Sequence, residues 1–172
     1  MTAGKKRGLT FYWASPVGPL GLTAEGQALT RVFFGPPSPP ANTAEPGEIF
    51  QRAFRQLAEY FAGLRRSFHL PLAPVGTEFQ HRIWAALKDI PYGQTISYGT
   101  LAARVDAPRA FRAAGQACRR NPLAIIIPCH RVIGGGGRLT GFAGGLPIKD
   151  FLLRLETGGD LSYACRAGPP LL

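Results

Sequence analysis

The apolar periodicity of this 172-residue chain changes once, and prolines mark the change. Before Gly35, the runs Leu9–Ala14, Leu20–Ala24 and Ala28–Phe34 are short and β-prone. Ser15-Pro16-Val17-Gly18 and Glu25-Gly26-Gln27 between them read as hairpin turns. Gly35–Pro46 then holds five prolines, a stiff irregular connection. Beyond it, Phe50, Phe54, Leu57, Phe61 and Leu64 recur at helical spacing, which predicts an amphipathic helix over 47–64 laid on the small sheet. Pro71, Pro74 and Gly76 form a linker, so the chain divides into an α/β lobe, 1–75, and a helical lobe, 76–172. No internal repeat is present.

Helix signals dominate the second lobe. Thr77 with Gln80 three residues later is a capping box. Behind it Phe79, Ile83, Trp84 and Leu87 share one face, and Pro91-Tyr92-Gly93 ends the helix. Ser97 caps the next, whose apolar face is Tyr98, Leu101, Ala102 and Val105. A third helix after Asp106-Ala107-Pro108 has the stripe Phe111, Ala114, Gly115 and Cys118. Arg109, Arg112, Gln116, Arg119 and Arg120 occupy its other side, within roughly 100° at 3.6 residues per turn. Two short helices joined by a tight turn, the second bearing arginines, is helix-turn-helix logic, although a solvated charged face has the same pattern. The small Ala113, Ala114 and Gly115 allow close approach to a backbone.

Charge narrows the partners. Twenty Lys and Arg against ten Asp and Glu give a formal net charge of +10, a field that attracts polyanions. Between Arg104 and Arg131 there are six arginines and one acid, Asp106. No run of about 18 apolar residues exists, so no transmembrane helix is expected. Three cysteines, Cys118, Cys129 and Cys165, are too few and too odd for a disulfide scaffold and fit a reducing cytosol. Lys5-Lys6-Arg7 followed by a short apolar stretch reads as the approach to a first strand rather than a signal peptide.

The chemical centre follows Leu123–Ile127, a buried strand-like run that ends at Pro128-Cys129-His130-Arg131-Val132. Positive neighbours lower a thiol's pKa, and His130 could take its proton. An isolated Cys-His pair is more often structural. Cys118 on an apolar stripe and Cys165 in a Gly/Pro-rich tail have bland readings. Cys118, Cys129, His130, His69 and His81 lack the paired spacing of zinc sites, and Gly134–Gly137 lacks the Lys-Ser/Thr ending of a P-loop.

Asn121-Pro122, the apolar run and Pro128-Cys129-His130-Arg131-Val132-Ile133 resemble the active-site signature of the O6-alkylguanine-DNA alkyltransferases. The likeness extends over Gly76-Thr77, Trp84, Ile90-Pro91-Tyr92-Gly93, Ser97-Tyr98, Arg112–Gly115, Gly141–Leu146 and Leu152–Glu156, and more loosely over Ser15–Leu20. The resemblance implies an α/β N-terminal lobe, a small antiparallel sheet plus helix, joined to a mostly helical C-terminal lobe with a winged helix-turn-helix-like DNA-binding motif. It implies direct-reversal DNA repair: a single-turnover transfer of a methyl or larger alkyl group from guanine O6, and also thymine O4, in duplex DNA to Cys129 after base flipping. Catalysis would fall to Cys129, His130 as its base through a water, Glu156 orienting His130, and Asn121 bracing the segment. Tyr98 would donate to the leaving guanine. Val132, Phe142, Ala143 and Gly144 would line the base pocket. Arg112, with Ala113, Gly115 and Arg119, would contact DNA, Arg112 replacing the extruded nucleotide. No cofactor and no metal are implied, and the protein would act as a cytoplasmic monomer on double-stranded DNA, with no membrane partner.

Some of these residues suit their roles independently. Attack on a carbon inside a stacked duplex requires flipping, and a planar guanidinium can fill the hole. Glu156 at the end of a Pro147–Glu156 helix, where the macrodipole disfavours an anion, calls for a cationic or hydrogen-bonding partner; otherwise it is an exposed surface acid. Phe142 stands where the family often has tyrosine, Ala124 where some members have proline, and Cys118 where another apolar residue is frequent. The N-terminal zinc cysteines of some members are absent, and so is the cysteine-rich extension of the adaptive-response regulators, so neither zinc nor phosphotriester repair is expected. Two other readings remain: an alkyltransferase-like protein that binds lesions without transfer, whose relatives lack the reactive cysteine, and a helix-turn-helix regulator with an incidental thiol.

Overall fold

Alternation in the first third closes into an antiparallel sheet of β1 (Leu9–Ser15), β2 (Gly18–Glu25) and β3 (Ala28–Phe34), in that spatial order. The computed structural model describes residues 8–37 and 45–159. The start of the chain, the middle of the proline-rich connection and Cys165 lie outside the described residues. Gly18 takes φ +92° in the first hairpin, a conformation costly for any residue with a Cβ. There Ser15 Oγ donates to the Gly18 carbonyl at 2.5 Å. A bulge at Thr23/Ala24 shifts the β2–β3 register, which pairs Leu20 with Phe34 and Gly21 with Phe33.

Helix α1 (Glu48–Phe61) covers one face of this sheet. Phe50 meets Phe11 with ring centroids 4.5 Å apart, and Trp13 stacks on Phe54. The helix stops earlier than its apolar spacing predicts. Gly63 turns left-handed at φ +73°, and Leu64, expected on the buried stripe, is 82% exposed.

The outer edge of β3 is covered rather than bare. Leu29 exchanges hydrogen bonds with Pro71 and Ala73, and Val32 with Pro122 and Ala124. Edge strands invite unwanted pairing, and this one is consumed by the chain itself. The second bridge ties the sheet to the segment that leads to Cys129, and one apolar core runs through both lobes.

The remaining elements are α2 (Glu78–Lys88), β4 (Ile96–Ser97), α3 (Tyr98–Arg104), α4 (Phe111–Arg119), β5 (Val132–Ile133) and α5 (Leu146–Thr157). β4 and β5 pair in parallel, Ile96 with Val132. Both halves of the capping box form at α2: Gln80 N–H donates to Thr77 Oγ1, and the Thr77 N–H to Gln80 Oε1 at 2.9 Å. Trp84 is buried and its Nε1 donates to the Ala117 carbonyl, which locks α2 to α4. Ser97 caps α3 through the Thr100 N–H. The α3–α4 turn passes through Asp106 at φ +56°. Among the described residues no helix is long and apolar enough to cross a membrane.

Two local expectations change. Phe111 is 48% exposed, and Ala117 joins Ala114 and Cys118 on the buried face of α4, because Phe111 opens the helix beyond the packed turn. Leu123–Ile127 is buried but is not a strand. It coils through turns, with only Leu123 bridging Val32, and Ile125 takes φ +70°, an unfavourable conformation for a β-branched residue. A short apolar run signals burial, not hydrogen-bond pattern. Here the Asn121 side chain satisfies the Leu123 N–H and the Ile127 carbonyl, which lets the segment turn inside the core.

Gly76 is a point of close approach. A Cβ built on it would lie 2.4 Å from Trp84 Cη2 and 2.7 Å from Gln80 Oε1. Gly76→Ala is therefore expected to destabilise the fold by about 1–3 kcal/mol, the usual cost of overpacking. Urea denaturation measures it, and an unchanged midpoint would contradict the close packing.

Candidate active site

The covered edge of β3 and the buried coil that follows place Cys129 at the head of a 3₁₀ turn, Cys129–Arg131, with Pro128 before it. The thiol is 5% exposed, so its reagent must enter a formed pocket rather than meet it on the surface. Burial raises the Cys129 pKa, while the Asn121 amide and the Lys149 ammonium draw it back. The sequence pointed to charged neighbours His130 and Arg131; the cation that acts on the sulfur is Lys149 from α5.

His130 and Arg131 turn instead to Glu156. His130 Nε2 is 2.8 Å from Glu156 Oε1. Arg131 Nε donates to Oε2 at 2.9 Å and Nη2 to Oε1 at 3.0 Å. Tyr60 Oη of α1 donates to Oε1 at 2.7 Å, and the Gly93 N–H to Oε2 at 3.0 Å. A carboxylate has about four acceptor sites, and this one is saturated by donors. Burial by itself would raise its pKa, but the hydrogen bonds from His130 and Arg131 prevail and hold it down at about 2. The reading of Glu156 as an exposed surface acid is thereby excluded; it is a buried acceptor at the C-terminal turn of α5, compensated by Arg131 against the macrodipole.

An ionised Glu156 fixes the imidazole. Nε2 carries the hydrogen that it accepts, so Nδ1 keeps its lone pair. Nδ1 is buried and has no hydrogen-bond partner in the protein. Burial lowers the His130 pKa, with Glu156 opposing, so the ring is neutral at neutral pH and ready to receive a proton. No direct hydrogen bond joins it to Cys129 Sγ.

Lys149 is buried on the face that Leu152 and Glu156 share at i, i+3 and i+7. Its Nζ donates to the Val132 carbonyl at 2.5 Å and to the Thr140 carbonyl at 2.7 Å, closing the two ends of the loop between β5 and α5. That loop carries Phe142, Ala143 and Gly144. The Phe142 ring stands edge-on to His130 at 6.4 Å and to Phe34 of β3 at 5.5 Å. A Cβ on Gly144 would lie 2.8 Å from the Phe34 ring, so the N-terminal sheet shapes this wall. Tyr98 is half-buried, its hydroxyl 3.5 Å from the Thr140 carbonyl, and burial raises its pKa, which keeps it a proton donor. Cys118 is buried on α4, its thiol raised by burial and then by Cys129.

Cys129, His130, Glu156, Asn121 and Val132 thus meet around one buried centre, with Tyr98, Phe142, Ala143 and Gly144 on its outer side. Arg112, Ala113 and Arg119 are exposed on α4 and stand apart from it, with Gly115 half-buried beside Tyr98. Sequence reasoning missed Tyr60, Gly93 and Lys149 and took Arg131 only as nearby charge. Among the described residues no group of three or more His, Cys, Asp or Glu side chains could hold a metal.

Residues 9–74 match the model of the 6-O-methylguanine DNA methyltransferase ribonuclease-like domain, and residues 78–158 that of the DNA binding domain of the same family. The chain belongs to the 6-O-methylguanine DNA methyltransferase family. A methylated-DNA–protein-cysteine methyltransferase of Methanosarcina acetivorans is 51% identical over 146 residues, 83% of this chain and 94% of the relative. One from Mycobacterium tuberculosis is 49% identical over 83% of this chain and 88% of its own length. Among solved structures, Mycobacterium tuberculosis OGT in complex with DNA superposes with a TM-score of 0.82 at 44% identity, covering 91% of this chain and 98% of that one. The Methanococcus jannaschii O6-methylguanine DNA methyltransferase gives 0.58 at 29% identity over 84% and 91%. In this family's terms, the sheet and α1 form the ribonuclease-like domain, and α2 to α5 the DNA-binding one.

Proposed function

We propose that this chain repairs DNA by direct reversal: it takes an alkyl group from guanine O6, or thymine O4, in duplex DNA onto Cys129, once per molecule. The observation that carries the reading is the buried imidazole next in the chain to Cys129, bonded to Glu156 through Nε2 and with its Nδ1 unpartnered. His130 accepts the thiol proton through an intervening water, since the two side chains make no direct bond. The thiolate attacks the alkyl carbon, the carbon–oxygen bond breaks, and the electron pair leaves with guanine. Tyr98 supports that charge by donating a hydrogen bond, which is worth most in a water-poor pocket. The sulfur ends as a thioether, a poor leaving group with no second nucleophile to release it.

The base reaches Cys129 by leaving the stack, because a thiol that is 5% exposed cannot enter a duplex. Phe142, Ala143 and Gly144 form the pocket wall, and α4 presents Arg112 and Arg119 to the DNA. We place the protein in the cytoplasm as a monomer, consistent with free thiols at Cys118 and Cys129. Binding without transfer, as in alkyltransferase-like proteins, is disfavoured by the presence of Cys129 and its relay.

Incubation with duplex DNA bearing labelled O6-methylguanine tests this. One label per chain on Cys129 is expected, read by intact and peptide mass. Cys129→Ala should bind the lesion and transfer nothing. Transfer by that variant, or label elsewhere, would overturn the assignment.

A further inference from the structure

The proposed reaction uses the face of α4, but the arginines of this protein do not end there. A groove of about 480 Å³ runs between the edge of β3 and the C-terminal end of α4. Arg31 of the N-terminal sheet lines it on one side, Arg119 and Arg120 on the other, and Ala143 of the pocket loop stands at its end. No carboxylate lines it, and among the described residues none of the three arginines is in an ion pair. All three are exposed.

Three like charges around one groove repel one another, and no residue lining the groove neutralises them. Arg119 and Arg120 have a local reason for their place, since cations favour the last turn of a helix. Arg31 has none. It is on a strand, and its guanidinium lies over the Phe33 ring with Cζ 4.8 Å from the centroid, which restricts where its charge points. Phe34, beside it, holds the loop of Phe142 and Gly144. The basic surface of α4 is thus continued onto the other lobe, past the mouth of the base pocket.

We propose that the DNA contact of α4 continues into this groove, in which Arg119, Arg120 and Arg31 each bind a separate backbone phosphodiester next to the flipped nucleotide. The inference rests on the reading of duplex DNA as substrate. Arg120 and Arg31 would position the strand, not read its sequence, because guanidinium–phosphate contacts carry no base information. The ribonuclease-like domain then adds to affinity as well as to the pocket wall.

Binding of lesion-bearing duplex by Arg31→Ala, Arg31→Glu and Arg31→Ala/Arg120→Ala, measured across a salt series, tests it. Each phosphate contact removed should reduce the slope of log K against log salt by about 0.9. We expect one such step for Arg31→Ala, two for the double variant, and a larger loss of affinity for Arg31→Glu. Reaction of Cys129 with free O6-benzylguanine, which has no phosphate, reports whether each variant is folded and chemically competent. A wild-type slope in variants that still react with the free base overturns the groove while leaving the alkyl-transfer reading intact. Wild-type protein that transfers nothing from either substrate would sink that reading instead.

Discussion

Replacing Glu156 with glutamine is expected to slow alkyl transfer by about 10²–10⁴-fold, the usual worth of a positioned acid–base group. It should also destabilise the fold by about 3–5 kcal/mol, the range for stripping one partner from a buried ion pair. Every group that faces this carboxylate is a donor: Tyr60 Oη, His130 Nε2, Arg131 and the Gly93 N–H. A glutamine must turn its NH₂ toward some of them, so at least one bond becomes a clash of hydrogens. Arg131 loses its anion while buried, and His130 loses the acceptor that keeps the hydrogen on Nε2. The second-order rate of transfer to Cys129 and the urea midpoint are the two measurements. A variant that reacts at the wild-type rate would remove Glu156 from the relay.

Acidity should expose the same residue. Glu156 has its pKa held at about 2, below the ordinary carboxylate, so the stability it contributes is present above about 4.3 and is lost as pH falls from there toward 2. His130 is lowered from its ordinary value, so the unfolded chain binds that proton first, and loss begins as pH falls through about 6.5. The two act in the same direction. Wild-type stability should fall in two stages on acidification, and Glu156→Gln should lack the lower one.

How much of this was legible depends on whether a feature has a local period. The strands, the capping box at Thr77 and the helix of Lys149 and Glu156 follow from spacing. That spacing also places Lys149, Leu152 and Glu156 on one face, a signal that both charged side chains are buried, though each finds its own partners. The end of α1 was missed because Gly63, not hydrophobicity, sets it. The coil at 123–127 was missed because an unbroken apolar run has no period, and because the side chain of Asn121 substitutes for a ladder. Tyr60 could not be found locally: it reads as one more aromatic on the α1 stripe, and only the docking of the two lobes brings its hydroxyl to an acid 96 residues away. The family motif supplied Cys129, His130 and Asn121, while the physical reason for their arrangement, one saturated carboxylate, appears only in three dimensions.

Arg112→Ala is expected to reduce repair of duplex DNA on the order of 10²-fold and to leave reaction with free O6-benzylguanine within about twofold, because an extruded base costs a few kcal/mol that a guanidinium entering the stack would offset. Arg112 is exposed, in no ion pair among the described residues, and its guanidinium lies 5.7 Å from the Phe111 ring. It leaves a helix that does not yield: Trp84 Nε1 anchors the Ala117 carbonyl, and Ala114 and Ala117 pack flat. Exposed Ala113 leaves room for a backbone beside it. A merely solvated charge and an intercalating one differ in what removes the penalty. If Arg112 only meets a phosphate, the loss should be similar for duplex and single-stranded lesion DNA and should track salt. If it fills the vacated stack, the loss should shrink when the lesion is in a single strand, where no partner base is abandoned. Arg112→Lys decides the point further, since it keeps the charge and loses the plane: recovery of duplex repair by lysine would reduce the role to electrostatics, and failure to recover would assign it to stacking.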